Sequence, residues 1–171
     1  MRAWLREIVE AIIPVCKQSY LPEHLEMNTN KLREELKLRP LELSLITRLG
    51  ISYFQQGKYR LTCEILYKAL QLDTHYKKPS LLLLLGLSYH CCFEHQKASS
   101  CFDDYVSLKP RRFEGYLFQA ILSHYLKDGI SAMLLVKKAE KFESKTHYST
   151  LVRGKFKEID GDISGAMAIY Q

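Results

Sequence analysis

The chain has 171 residues, of which 47% are hydrophobic and 26% are charged. This balance is typical of a globular protein and excludes a low-complexity or disordered chain. The net charge of +6 is moderately basic. The longest apolar run, residues 81–87, is too short to span a bilayer. We therefore expect a cytoplasmic protein without a membrane segment.

The first 20 residues carry one apolar face at helical spacing, with charged residues on the opposite side. Pro14 is expected to kink or end this helix, and the acidic residues Glu7 and Glu10 interrupt any signal-peptide pattern. Two interpretations remain open: a cap with a polar outer face on the rest of the fold, or a helix that forms a homodimer. The apolar face consists of Trp4, Leu5, Ile8, Ile12 and Cys16, and the first four would form the dimer contact.

Residues 79–110 have the pattern of two amphipathic helices with a break near residues 93–96. A small residue on each helix, Gly86 and Ala98, lets the two axes approach closely. A hairpin of this size cannot bury its apolar face alone, so it predicts a repeated structure. The apolar face is formed by Leu82, Leu85 and Tyr89 on the first helix and by Ala98, Phe102 and Tyr105 on the second.

The same hairpin pattern recurs every 34 residues, with small residues where helices touch and larger ones where they interleave. The first interval is 36 residues, because two residues are inserted within residues 74–78. The matching positions are Gly50, Gly86, Ala120 and Gly154 on the first helices, and Ala98, Ala132 and Ala166, then Phe102, Val136 and Tyr170, on the second helices.

This period and these residue types resemble the tetratricopeptide repeat family. The resemblance covers residues 43–171 and implies an all-α fold, a right-handed α-solenoid of helical hairpins. The units would be residues 43–78, 79–112, 113–146 and an incomplete unit at residues 147–171. Residues 1–42 would then form a degenerate leading repeat or cap.

The register supports this assignment of the N-terminal region. Pro40 lies 70 residues before Pro110, which equals one 34-residue and one 36-residue period. A second helix is predicted to begin after Asn28 or Asn30, as the N-cap, and to run to Pro40.

The resemblance implies that the first helices of the hairpins line a concave groove that binds another protein. The helix after Pro79 is apolar on all sides, so one face remains after repeat packing. We expect this face to be exposed and to bind an extended or helical apolar segment of a partner. The alternative is that the N-terminal helix folds back and fills it. The predicted groove residues are Phe54, Leu83, Leu84, Leu87, His90, Cys91, Leu117, Phe118, Ile121, His124 and Tyr125, with Thr47, Arg48, Ile51 and Gln55 upstream.

The groove residues argue against one partner known for the family, the acidic C-terminal tails of heat-shock chaperones. A lysine, asparagine and arginine clamp holds those tails, whereas here a carboxylate would meet apolar side chains. The corresponding positions are Thr47, Ile51, Leu84, Glu114 and Phe118. The apolar groove and the N-terminal helix are similar to a subgroup of the family, the chaperones of type III secretion translocators, which is an alternative function.

Histidine and cysteine residues also lie on the predicted groove. His90 and His124 are 34 residues apart and are expected side by side, facing the groove with Cys91. Because third and fourth ligands at recognised spacing are missing, we expect no metal and no other cofactor. The five cysteines include no CxxC motif, which favours reduced thiols, with Cys63 and Cys101 as small buried hydrophobic residues.

The C-terminal third of the chain is basic, with seven Lys or Arg against two Glu between Lys137 and Lys157. Lys137, Lys141 and Lys145 recur every four residues and predict a solvated convex face. The alternative is contact with RNA or an acidic partner, although few aromatic side chains interleave with these lysines for base stacking.

The last unit is predicted to leave apolar residues poorly covered. Ile163, Met167 and Ile169 lie on a second helix that no further repeat follows. We therefore expect either that the natural chain continues past Gln171 or that another surface covers this end.

The sequence contains none of the usual enzyme motifs, such as a nucleophile elbow, a phosphate loop or a dinucleotide fingerprint. The acidic and glycine residues at 128–129 and 160–162 are expected to form turns. We therefore predict a non-enzymatic scaffold or adaptor for protein–protein interaction. The alternative from a different class is a basic helical-repeat protein that associates with RNA or an acidic partner.

Overall fold

The computed structural model describes residues 3–12, 22–72, 79–143 and 147–171, and the regular structure within these residues is entirely α-helical. This confirms the predicted α-solenoid class. The helices are α1 (Ala3–Ile12), α2 (Pro22–Leu38), α3 (Leu43–Gln55), α4 (Tyr59–Leu72), α5 (Pro79–Cys91), α6 (His95–Leu108), α7 (Phe113–Tyr125), α8 (Gly129–Glu140), α9 (Tyr148–Ile159) and α10 (Ile163–Tyr170). Outside the described residues lie the predictions for Pro14, Cys16, residues 74–78, Lys145 and the side chain of Ile12.

The predicted start of the second helix at Asn28 or Asn30 is wrong, because α2 begins six residues earlier than Asn28, at Pro22. Proline is compatible with the first turn of a helix, where its missing N–H would have no intrahelical partner. Both asparagines therefore lie inside the helix, exposed on its surface.

Short turns join the helices of each hairpin, as the glycine and aspartate residues predict. Gly57 and Gly161 have φ of 73° and 86°, a left-handed conformation that glycine adopts without steric cost. Asp128 and Asp162 each begin the second helix of a hairpin. Their carboxylates accept the N–H of the residue three positions on, at 3.0 Å and 2.9 Å respectively.

The chain divides into two compact units, Met1–Ala98 and Ser99–Gln171. In the first unit, α2 packs against α3 through a cluster of buried apolar side chains. Beside this cluster the hydroxyls of Thr29 and Ser52 are hydrogen-bonded at 2.6 Å. The cluster consists of Leu32, Leu45, Leu49 and Tyr53, with Leu36 and Ile65 at its edge. Helix α2 therefore packs against α3, the first helix of the first hairpin.

Close helix packing in the first hairpin depends on a residue without a side chain. Gly50 of α3 faces Leu66 of α4, and an added Cβ would overlap that leucine. Leu66 is fully buried, so it has no room to move away. The next helix, α5, packs against both α3 and α4.

In the second unit, glycines also lie at close contacts between neighbouring helices. Gly115 of α7 faces the ring of Tyr105 on α6, and the rings of Phe102 and Phe118 stack with centroids 5.9 Å apart. Helix α8 packs against α7 and α9, and α9 packs against α10, where Gly154 faces the ring of Tyr170.

Candidate interaction surfaces

The expected exposed apolar face on α5 is not present. Leu83, Leu84 and Leu87 are at most 3% exposed, and every residue of α5 from Leu81 to Tyr89 is buried. A helix that is apolar on all sides must be covered on all sides. Helices α3 and α4 pack against α5 and supply part of this cover.

Helix α1 lies beside the turn that joins α3 and α4. Arg6 of α1 hydrogen-bonds Tyr59, the first residue of α4. The ring of Tyr59 packs edge-on against Phe54 of α3, with centroids 5.6 Å apart. Phe54, a predicted groove residue, is itself buried. Through Tyr59, Arg6 is therefore one side chain away from this groove residue.

The apolar face of α1 is buried in the first unit. Leu5 and Ile8, which were predicted as a dimer contact, are buried together with Val9, so they are not available to a second chain in this conformation. Trp4, the third predicted contact, is partly buried. In this conformation the apolar face of α1 therefore contributes to the core of the first unit.

The ionisable groups at the end of α5 are held in their neutral forms. Burial, followed by the neighbouring His95, lowers the pKa of His90 to about 4. Burial raises the pKa of the Cys91 thiol to about 11. A neutral imidazole and a protonated thiol at pH 7 do not make an activated nucleophile. These groups therefore serve packing better than chemistry.

The two predicted groove histidines each have neighbours within their own unit. The rings of His90 and His95 lie 5.6 Å apart. His124 stacks on Phe156 at 4.1 Å, and its Nε2 lies 3.6 Å from a carboxylate oxygen of Asp160. In the part of the chain that the structure describes, no group of three or more potential ligands is arranged to hold a metal ion.

The α7 part of the predicted groove is also largely buried. Leu117, Phe118 and Ile121 belong to the core of the second unit, whereas Tyr125 is exposed. A carboxylate introduced at Phe118 would therefore be buried, and the same holds for Leu87 on α5. Upstream on α3, Arg48 is exposed, and Thr47, Ile51 and Gln55 are half-buried.

A charged cluster surrounds Glu114, which occupies one of the positions of the chaperone-tail clamp in the family. The buried Glu114 carboxylate accepts a hydrogen bond from Arg112 at 2.6 Å and lies 3.5 Å from the Tyr105 hydroxyl. Burial and this carboxylate raise the pKa of Tyr105 to about 12. The Glu114 hydrogen bond raises the pKa of Arg112. Because its charge is already compensated, Glu114 is a structural residue of the α6–α7 turn.

Two helices of the second unit expose apolar side chains instead. On α10, Ile163, Met167 and Tyr170 are exposed, whereas Ile169 is half-buried, so two of the three side chains predicted to be poorly covered are exposed. On α8, Ile130 and Leu134 are 80% and 62% exposed. The sequence-based prediction missed this pair, although its i, i+4 spacing on the face of Lys137 and Lys141 is visible in the sequence. Both lysines are exposed, as predicted.

Among the described residues, no helix is both long and apolar enough to cross a membrane. No family model matches the sequence, and no curated protein is significantly similar to it. Solved structures do match the fold.

MamA from Desulfovibrio magneticus superposes with a TM-score of 0.73 at 13% identity, over 96% of this chain and 90% of that one. A tetratricopeptide repeat protein from Parabacteroides merdae gives a TM-score of 0.70 at 20% identity, over 85% of this chain and 57% of that one. PilF from Pseudomonas aeruginosa gives a TM-score of 0.62 at 16% identity, over 82% of this chain and 63% of that one. At these identities the likeness concerns the fold, and the chain has the tetratricopeptide repeat fold.

Proposed function

We propose that the chain is a non-enzymatic, cytoplasmic interaction module that binds an amphipathic helix of a partner protein beside α3 and α5. One observation carries the proposal: the apolar face of α1, formed by Leu5, Ile8 and Val9, is buried, and Arg6 ties this helix to Tyr59. Stacked hairpins present extended surfaces of this kind without catalytic groups.

Helix α1 supplies a template for the partner. Its buried residues are spaced i, i+3 and i+4, which is the pattern of a helix that docks into a hydrophobic groove. In the partner helix, a basic residue would lie between the first two apolar residues, at the position equivalent to Arg6. It would reach Tyr59. The apolar surface it would meet comprises Phe54, Leu83, Leu84 and Leu87, with His90 and Cys91 at its edge. In the alternative function, as a chaperone of type III secretion translocators, the partner helix would be an apolar segment of a secreted protein.

Because α1 is attached to the chain, it competes with any partner at a high effective concentration. A variant that releases α1 should therefore bind such a helix much better than the unaltered protein. Ile8→Asp is suitable, since it places a charge in a buried apolar site, which is strongly unfavourable. Glu7→Gln changes the adjacent, exposed residue of the same helix and is the matched control.

The probe is a fluorescein-labelled peptide with the sequence of α1, AWLREIVEAI, and fluorescence anisotropy measures its binding to the full-length chain. We expect binding to the Ile8→Asp variant at least about tenfold tighter than to the wild type or to Glu7→Gln, with a tenfold change equal to about 1.4 kcal/mol. A peptide that carries the Ile8→Asp change should not bind.

The proposal fails if Ile8→Asp remains helical by circular dichroism and does not bind the peptide. If this variant loses most of its helix content, Arg6→Ala replaces it, since the loss of one hydrogen bond loosens α1 more gently. In that case the expected gain in peptide binding is smaller but has the same direction.

A further inference from the structure

Helix α8 carries a line of exposed side chains on its outer face. The opposite side of this helix packs into the second unit through Ala132, Val136 and Ala139, so the fold does not use the outer face. We define the α8 outer face as Ile130, Leu134, Lys137, Lys138 and Lys141, all of which are exposed. Its N-terminal half is aliphatic and its C-terminal half is basic.

The positive charge of this face is not compensated locally, because each nearby carboxylate in the described part of the chain has another partner. Asp128 accepts the N–H of Ser131, Glu140 pairs with Arg153 at 3.3 Å, and Glu143 accepts the N–H groups of Tyr148 and Ser149. Lys138 lies 4.5 Å above the ring of Tyr116, which orients its ammonium without neutralising it. The three lysines therefore present a positive potential next to two exposed aliphatic side chains.

We propose that the α8 outer face binds an acidic amphipathic helix of a partner protein. Residues at i, i+4, i+7 and i+11 form one ridge about 16 Å long, and a second helix packs along such a ridge. The complementary helix would place two aliphatic side chains over Ile130 and Leu134 and Asp or Glu beside the lysines. Opposite charges arranged in this order select both the partner and its direction along α8.

Other occupants fit this face less well. An anionic membrane surface that received Ile130 would also approach the exposed carboxylate of Asp128 at the same end of the helix, which is electrostatically unfavourable. The three lysines could contact the phosphates of RNA, but this ridge carries no aromatic residue on which a base could stack. It would also leave Ile130 and Leu134 uncovered, 80% and 62% exposed.

The test uses a labelled, alanine-based synthetic helix with two leucines four residues apart, followed by glutamates at the i+7, i+8 and i+11 positions. It is titrated with the full-length chain at low ionic strength and followed by anisotropy. We expect Lys137→Glu/Lys141→Glu to weaken binding by about tenfold or more and Leu134→Ser to weaken it several-fold, with weaker binding of the wild type in high salt. Lys68→Glu, a change at an exposed lysine of α4, is the matched control and should bind like the wild type.

The same peptide with lysine in place of glutamate should not bind. Equal binding of both peptides, or equal binding by the double variant, would overturn the proposal. Tighter binding to phosphatidylserine vesicles or to polyuridylate through the same lysines would overturn it in favour of a membrane or RNA. If the double variant loses helix content, Lys137→Gln/Lys141→Gln removes the charge more conservatively and should also weaken binding of the acidic peptide. Unchanged binding by that variant would equally overturn the proposal.

Discussion

Helices α5 and α10 are both strongly apolar, yet their surroundings are opposite. Every residue from Leu81 to Tyr89 of α5 is buried, whereas on α10 only Ala166 is buried and Ile163 and Met167 are exposed. The difference lies in the neighbours: α5 is packed by α3 and α4 in a unit that also buries the apolar face of α1, and α10 packs against α9. An apolar helix therefore becomes core only where the chain supplies enough helices to surround it.

We expect the largest effect on stability from a substitution of Leu84, whose side chain is fully buried. Leu84→Ala should lower the free energy of unfolding by about 2–5 kcal/mol, because it removes buried methyl groups and leaves a cavity. Leu134→Ala on α8 is the matched control, since that side chain is 62% exposed, and it should change the stability by about 0.5 kcal/mol or less. Urea denaturation followed by circular dichroism measures both. Similar losses at the two positions would contradict the contrast between covered and uncovered faces.

The repeat pattern was sufficient to predict the fold, because the 34-residue period and the small residues at Gly50 and Gly154 report local helix–helix contacts. The expectation that Leu83, Leu84 and Leu87 would be exposed was wrong, because it depended on how distant segments of the chain pack. The sequence identifies α5 as apolar on all sides, but periodicity within the repeats cannot say which other segments of the chain cover it. Nor can it say that Leu5, Ile8 and Val9 of α1 are buried within the first unit, because these side chains suit a cap, a dimer contact or a groove equally well.

The next largest effect on stability is expected from glycine-to-alanine substitutions at equivalent positions of two repeats. Gly50→Ala should destabilise the protein by about 1–3 kcal/mol, the usual cost of overpacking, because the new methyl group would overlap the fully buried Leu66. Gly154→Ala meets the ring of Tyr170 instead. That ring is exposed and can move outward, although this would break the hydrogen bond from its hydroxyl to Glu158. The change should therefore cost about 1 kcal/mol or less, because the gain in helix propensity offsets part of the lost hydrogen bond.

Thermal unfolding of the two alanine variants separates these cases. The double variant Gly50→Ala/Leu66→Ala should recover part of the loss relative to Leu66→Ala alone, since the new methyl group fills space that the smaller residue leaves. An equal loss at both glycines would mean that the end of the array near α10 is packed as tightly as its beginning.

A smaller effect is the pH dependence of stability that arises from His90, near the C-terminal end of α5. Burial and His95 lower the pKa of His90 to about 4, so between pH 4 and 6.5 the unfolded chain binds a proton there more readily than the folded chain. This contribution to stability is complete above pH 6.5 and is lost as the pH falls toward 4, with a ceiling of about 1.4 kcal/mol per pH unit for one proton.

Urea midpoints at pH 5.0 and 7.5 measure this dependence. His90→Gln should reduce the difference between the two midpoints, whereas His147→Gln, a change at an exposed histidine, should leave it as in the wild type. An unchanged difference in His90→Gln would show that this end of α5 is more open to water than its burial indicates.

The smallest effect is expected at Met167, whose side chain is 59% exposed on α10. Met167→Asp should change the free energy of unfolding by about 0.5 kcal/mol or less, because the carboxylate stays in water and no buried contact is lost. The measurement should be made at two protein concentrations a hundredfold apart. If a second copy covered α10, the wild type would become more stable with concentration, since association with the folded state shifts its apparent stability. Met167→Asp would remove that dependence. Concentration-independent stability in both proteins would instead leave α10 as an uncovered apolar face, in contrast to α5.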